Sequence, residues 1–471
     1  MKRSLEVLRV LGFATIALIF GAGCQETSEP ITDAPALAAA LEGAASGDEV
    51  RLGACHIVGD FVVPAGVSLV GAGVDQSVIE SDSRAAVWVI GDIGMPTISD
   101  LSIVSNGAAG LVVAGDGGAG SVSLERIDIE VHRGVGIGVE QLGSISLQDV
   151  VTHGPITADN VDSLPENPSP TDTATHGIVM REVDDAQLTD VESTGFALFG
   201  AMAVDSSVTW RGGGVPGNHG TALLVEGGSA TLETLDLCGT LKGELRGYNV
   251  YGAVFSDGAA VESDGLEVCD TDGFGILHHA SSGIHVDLNA HDNNAAAVWA
   301  QQSSLEISGS TSSIVNNRLA GVALLDMETA TIADAEISST SSSVRVIGET
   351  GHCESGDGVQ LVDTTGEVLL QNLTLEQNDR VGILLDLEEA PASLVLQSIT
   401  VDGVEEQLGA IAQGSAVPDG WDEQVTRSGA TEVNDDDFQG TMEVQPTIDM
   451  VDIPPGVACV IGDIGSCLVA Q

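Results

Sequence analysis

A short phrase of apolar and polar positions recurs along the chain. "ISDLSIV" begins at Ile98, "LERIDIE" at Leu124, "LQDVVTH" at Leu147, "LTDVEST" at Leu188, "LETLDLC" at Leu232, "IADAEIS" at Ile332 and "LQSITVD" at Leu396. Most read apolar-x-x-apolar. A second apolar stretch usually follows five to ten residues later, as in "GLVVAGD" at 110–116, "HGIVMRE" at 176–182, "GFGILHH" at 273–279 and "VGILLDL" at 381–387. Where nothing is inserted, the phrase returns roughly every 22–26 residues. Segments this short, broken by Gly, Asn, Asp and Ser, predict strands and exclude long helices. A repeat of this length cannot bury its own apolar side, so neighbours must stack around a continuous core. The pattern predicts an all-β, single-stranded parallel β-helix of about thirteen coils over residues 49–413. At ~4.8 Å per rung the rod is roughly 60 Å long. A leucine-rich repeat would need a fixed Leu/Asn consensus and a helical turn per repeat, which the phrase lacks.

Polar triplets fall between the apolar stretches: "DTD" at 270–272, "DNN" at 292–294, "NNR" at 316–318 and "NDR" at 378–380. They read as corners, because Asn and Asp tolerate left-handed backbone and hydrogen-bond locally. Asp270, Asp292 and Asn316 would then stand in line up one edge. Their oxygens make that edge a candidate calcium site. At the N-terminus, "TDAPALAAALEGAASGDEV" (32–50) offers Asp33 as N-cap, Pro35 in the first turn, and Leu37 and Leu41 on one side of a short helix. Such a helix would cover the first coil and blunt its unpaired edge.

The next stretch, "VRLGACHIVGDFVVPAGVSLVGAGVDQSVIESD" (50–82), resembles the opening coils of the pectin-lyase-like, right-handed parallel β-helix superfamily. The resemblance covers about four-fifths of the chain and implies a right-handed helix from residue 33 to 415, followed by an irregular C-terminal cap and tail at 416–471. It implies little about activity, because that scaffold hosts lyases, hydrolases, epimerases, adhesins and inert rods.

Charge narrows the partners. The 471 residues carry 70 acids against 15 Lys and Arg, a formal charge of -55, with lysine only at positions 2 and 242. Nucleic acid and anionic lipid need a basic face and are excluded as direct partners. An acidic polysaccharide needs a divalent cation as a bridge. With 43% apolar residues the chain folds despite its charge.

The start, "MKRSLEVLRVLGFATIALIFGAGC", has a basic end, an apolar run from Leu11 to Phe20, and small residues before Cys24. It reads as a signal peptide over 1–23. The run into Cys24 resembles a bacterial lipobox, with Gly21 where that family usually has Leu. The resemblance implies lipidation at Cys24, a polar tether over 24–32, and, from Gln25, anchorage at the outer membrane on its periplasmic or outer side. A plain secreted protein is the alternative. Six cysteines follow Cys24, an even number suited to bridges outside the cytoplasm. Cys238 and Cys269 occupy equivalent places in adjacent coils, at a spacing that a disulfide accepts. Cys459 and Cys467 would close a local loop. Cys55 and Cys353 lie many coils apart.

Three insertions break the period, at 155–175, 239–252 and 340–358. Regular coils need no such loops, so function is sought there. All three leave at the same point of the coil, which predicts one shared flank. The middle one holds both tyrosines of the chain, Tyr248 and Tyr251, with Lys242 and Arg246. Rings stack on sugar faces and cations read acidic groups, so these four form a candidate glycan patch. His278, His279, His285 and His291 are close in sequence but at different coil positions, which argues against convergence on a metal. His176 and His219 resemble fragments of the His-Gly element of pectin-hydrolysing glycosidases. The Arg-x-Lys element of that family is absent, and no catalytic residue can be named. The expected function is a monomeric, non-catalytic rod that binds polysaccharide or a cell-surface protein. The alternative is a polysaccharide lyase or glycosidase.

Overall fold

A computed structural model describes residues 30–91, 94–118, 120–157, 159–160, 173–241, 250–347, 351–402, 408–413, 416, 423 and 425–428; for 343–347, 351–355, 408–409, 411, 413 and 427–428, backbone only. The chain winds into a parallel β-helix of about thirteen coils. Each full coil has three strands. The first face holds, among others, Phe199–Val204, Thr221–Glu226, Tyr251–Ser256, Phe274–His279 and Val298–Gln301. The second holds Ser229–Glu233, Ala260–Asp264, Ser282–Val286 and Ser304–Ser308, and the third Glu267–Cys269, Asn289–His291 and Ser312–Val315. Each strand pairs in parallel with its equivalent one coil on, so Phe199, Thr221, Tyr251 and Phe274 form a single column. In the lower coils the strands run on around the corners, as Gly134–His153 and Ala174–Thr194 do.

Alternation decides which side chains enter the lumen. In Ala260–Asp264, Val261 and Ser263 are buried and their neighbours exposed, the half-buried strand pattern. Ile103, Leu124, Ile178, Leu232, Ile307 and Leu370 belong to one continuous core. The predicted helix is present as Ala34–Gly43. Asp33 accepts from the Ala36 amide at 2.9 Å, and Leu37 and Leu41 bury against the first coil. At the other end Val425–Ser428 pairs with Ile399–Asp402, so stacking continues past residue 415, where the sequence pattern fades.

The corners turn on left-handed residues. Asp149, Asp190, Asp205, Asp270, Asp287, Asp292, Asn316, Asp326 and Asn372 all have φ between 48° and 57° except Asp326 at 46°. The "NDR" triplet at 378–380 has three separate duties. Asn378 is fully buried and belongs to a column inside the corner with Asn218, Thr240, Thr271, Asn293, Asn317 and Thr340. There the amides bind between rungs: Asn293 Nδ2 donates to Asn317 Oδ1 at 2.9 Å, and Asn378 Oδ1 accepts from the Thr340 amide at 3.1 Å. The strand glycines face this ladder; a Cβ at Gly200 would collide with the Asn218 amide. Asp379 accepts from the Ser342 amide at 2.7 Å. Arg380 is more than a corner residue: its guanidinium holds Asp357, whose side chain is fully buried.

Candidate functional site

The three insertions leave from one corner. Thr240 and Thr340 belong to the amide column, and each is followed directly by an insertion. The first insertion starts at the same address, where Gly154 donates to Thr194 O and Ile156 to Gly195 O. Ile156 and Leu241, from two different insertions, both pack near the buried Ala197. The chain re-enters on the first face, at Ala174–Thr194, Tyr251–Ser256 and Gly351–Val362. Within the third insertion Ser343–Ile347 pairs antiparallel with Gly351–Ser355, a hairpin beside the otherwise parallel stack.

The outer surface of the first face is the ground these loops border. An aromatic column runs up it: the His176 ring stacks on Phe199 at 5.4 Å and Tyr251 on Phe274 at 5.8 Å, and Trp299, above Leu277 in the adjoining column, meets Phe274 edge-on at 5.7 Å. Val179, Met202, Leu224, Val254 and Leu277 fill the next column. These side chains point away from the lumen yet are closed to solvent. Leu224 and Leu277 are each 3% exposed, whereas the outward Ile284 and Val395 of the second face are 41% and 43% exposed. His176 Nε2, Trp299 Nε1 and Gln301 Nε2 are buried there without a hydrogen-bond partner among the described residues. Burial holds the His176 imidazole neutral, with its pKa pushed down to about 4.

Charged groups rim this surface. Arg181 lies 3.6 Å from Glu140 and 3.7 Å from Glu182. Arg380 Nε donates to Asp357 Oδ1 at 2.7 Å, and Gln360 Nε2 donates to Asp357 Oδ2 at 2.7 Å. Partial burial, then the charges of Asp257 and Asp205, raise the Glu226 carboxyl above its usual range. This is an ion-paired border; among the described residues it holds no assigned acid–base couple for hydrolysis or elimination.

Of the residues singled out from sequence, Tyr251 is a buried first-face residue at the root of the middle insertion. Tyr248, Lys242 and Arg246 lie outside the described residues, as do Cys24, Cys459 and Cys467. Cys238 and Cys269 are bonded across adjacent coils, with Cα atoms 4.4 Å apart. Asp270, Asp292 and Asn316 stand in one exposed column with φ of 51°, 57° and 57°. Left-handed backbone accounts for their identity. Asp292 is engaged by His291 Nδ1 at 2.7 Å. Among the described residues, the single trio of His, Cys, Asp or Glu with ligand atoms within 4.8 Å is Cys238, Glu267 and Cys269, and the disulfide consumes both sulfurs. His219 donates from Nδ1 to Ala197 O at 2.9 Å, and burial lowers its pKa.

The histidines correct one expectation. His278 and His285 do converge, with their Nε2 atoms 2.9 Å apart in the lumen. Different positions in one coil meet because the first and second strands face each other around a corner. The readable signal was Gly283, where a Cβ would strike the His278 ring.

No family model matches the chain, and no curated protein matches it. Among solved structures, the mannuronan C-5 epimerase A-module of Azotobacter vinelandii is 15% identical. That match covers 85% of this chain and 95% of that one, with a TM-score of 0.39. The catalytic domain of a GH87 alpha-1,3-glucanase is 11% identical, over 82% of this chain and 65% of that one, at 0.26. An alginate lyase from Paenibacillus sp. is 12% identical, over 86% and 98%, at 0.17. Identities and scores this low transfer no residue role. On its own strand register the chain is a parallel β-helix.

Proposed function

We propose that the protein is an exported rod, lipid-anchored through Cys24, that binds a polysaccharide or a cell-surface protein along one flank and performs no covalent chemistry on it. The observation that carries this reading is the common origin of the three insertions. All leave the corner beside the first face, while most other corners close within a few residues on one or two left-handed positions, as at Asp205, Asp257–Gly258 and Asp287. A stiff stack makes such a flank a fixed, extended contact line. Tyr251 roots the middle insertion by packing on Phe274, which leaves Lys242, Arg246 and Tyr248 as the contact residues. For an acidic polymer, calcium at Asp270, Asp292 and Asn316 is the bridging ion the charge balance calls for.

The test is a glycan array probed with the chain from Gln25 onward, with and without CaCl2, beside a variant in which residues 242–249 are replaced by a short Gly-Ser turn. Binding by the wild type, lost in a variant with unchanged circular dichroism, is the expected result. Absence of binding across the panel, or release of unsaturated or reducing sugar ends, overturns it; the second outcome identifies a lyase or hydrolase.

A further inference from the structure

The lumen of one coil contains a polar device that neither packing nor a surface binding role requires. His278 and His285 are fully buried, and their Nε2 atoms are hydrogen-bonded at 2.9 Å. His278 Nδ1 lies 3.0 Å from Ser281 Oγ, and His285 Nδ1 lies 2.7 Å from Ser263 Oγ. Phe255 packs on both rings, at 4.9 and 6.2 Å. Gly283 leaves the space in which the His278 ring sits. In the neighbouring coils His278 lies between Phe255 and Ala300, and His285 between Ser263 and Ile307. These neighbours bring no carboxylate to the pair. His279, Asp287, His291, Asp292 and Glu267 sit on outer faces or corners of the same and adjacent coils. Asp287 accepts from the Thr311 amide there, and His291 faces Asp292 and Glu267.

The bonding fixes a direction. One imidazole donates its Nε2–H to the bare Nε2 of the other. The acceptor ring carries its own hydrogen on Nδ1 and gives it to its serine, and the donor ring's bare Nδ1 accepts from its serine. Ser–His–His–Ser is thus one continuous chain. A first proton on the donor ring's Nδ1 preserves every bond if that serine turns to accept. A second proton puts N–H against N–H at 2.9 Å and two like charges in an apolar lumen. The titration belongs to the pair.

We infer that this pair is an acid-operated latch: closed while it holds at most one extra proton, it opens the coil Phe274–His291 when both rings are charged. The Cys238–Cys269 bridge ties the two coils beneath and keeps that side of the stack in register as the latch opens. Burial, together with the neighbouring ring for His278, drives both imidazoles toward the neutral form, in the sense the latch requires.

Hydrogen exchange read by mass spectrometry from pH 7 to 3.5, corrected for intrinsic rates, tests this on the full chain. Protection of the peptide spanning 274–291 should fall with acid more steeply than that of 319–338, approaching a hundredfold per pH unit where two protons are taken up. His285→Gln, which hydrogen-bonds without titrating, should reduce the slope to about tenfold per unit. The His278→Leu/His285→Leu variant should abolish the excess over 319–338, and its circular dichroism at pH 7 reports whether it folds. Equal acid sensitivity of the two peptides in the wild type, or an unchanged slope in His285→Gln, overturns the latch.

Discussion

Replacing Asn317 with alanine isolates what the internal amide ladder contributes. The side chain is fully buried and makes four hydrogen bonds. Its Oδ1 accepts from the Asn293 amide at 3.1 Å and from Asn293 Nδ2 at 2.9 Å. Its Nδ2 donates to Ala290 O at 2.9 Å and Val315 O at 3.0 Å. The Val315 carbonyl keeps a bond from the Asp292 amide, and Asn293 Nδ2 keeps Val268 O, so the Asn293 backbone N–H is the group left bare. At about 1 kcal/mol net per bond, with the orphaned amide at the upper end of that range, Asn317→Ala should cost about 3–4 kcal/mol. Asn317→Thr provides the control. The same column already holds Thr271 and Thr340, whose hydroxyls are buried without partners among the described residues, so threonine fits the space without rebuilding the bonds. It should recover only packing and cost about 2–3 kcal/mol. A stacked array opens locally, so the readout is exchange of the Asn293 amide rather than a global melt. A loss of 3 kcal/mol appears there as exchange faster by roughly a hundredfold. If both variants lie within about 1 kcal/mol of wild type, with Asn293 exchange unchanged, the ladder is filler and the argument fails.

Arg380→Met should destabilise the upper coils by about 3–5 kcal/mol, measured by denaturant titration, because it strands the fully buried Asp357; Arg380→Met with Asp357→Leu should regain most of that loss. Removing the Cys238–Cys269 bridge, whose partners are 31 residues apart, should cost about 3–4 kcal/mol on the chain-entropy account, and a non-reducing peptide map checks that the bond forms. His176 has a depressed pKa, so the folded state prefers it neutral. Its contribution is intact above about pH 6.5 and is lost as pH falls toward about 4, a drop of about 3 kcal/mol. His176→Phe should therefore match wild type at pH 7 and exceed its melting temperature at pH 4.5; a constant difference across that range would show that the histidine does not titrate with unfolding. Melting temperature should also rise between 0.05 and 1 M NaCl, because salt screens a surface of this charge, and a flat profile would contradict the repulsion argued below.

The rod was legible because its cause is local. Apolar alternation over short strands, repeated at one spacing, admits few outcomes, and the equivalent places of Cys238 and Cys269 in that repeat were enough to bring them together. Contacts around a corner were less legible, because two positions in one coil share no sequence phase. His278 and His285 meet across such a corner, and Arg380 reaches back one coil to Asp357. The closed outer surface of the first face was also hidden. Leu224 on that face and Ile284 on the second occupy outward positions in similar apolar alternations, and only the surroundings separate 3% exposure from 41%.

The acidity has a structural cause as well as a solvent one. A coil with three corners needs left-handed residues at intervals of a few positions, and after glycine Asp is the residue most often used there. Parallel stacking then sets like charges one above another, as with Asp149 beneath Asp190 and Asp270 beneath Asp292. At ~4.8 Å in water each such pair repels by roughly 1 kcal/mol before screening. Arg126 shows the remedy where it occurs: it takes the left-handed place between Asp100 and Asp149 and holds Asp100 with two bonds, at 2.7 and 2.9 Å, which keeps that carboxyl below its usual range. Most corners lack such a partner, since arginine is scarce and lysine nearly absent. Folding by stacking therefore creates the electrostatic strain, and counter-ions must relieve it. That makes the salt around the rod part of what sets its stability.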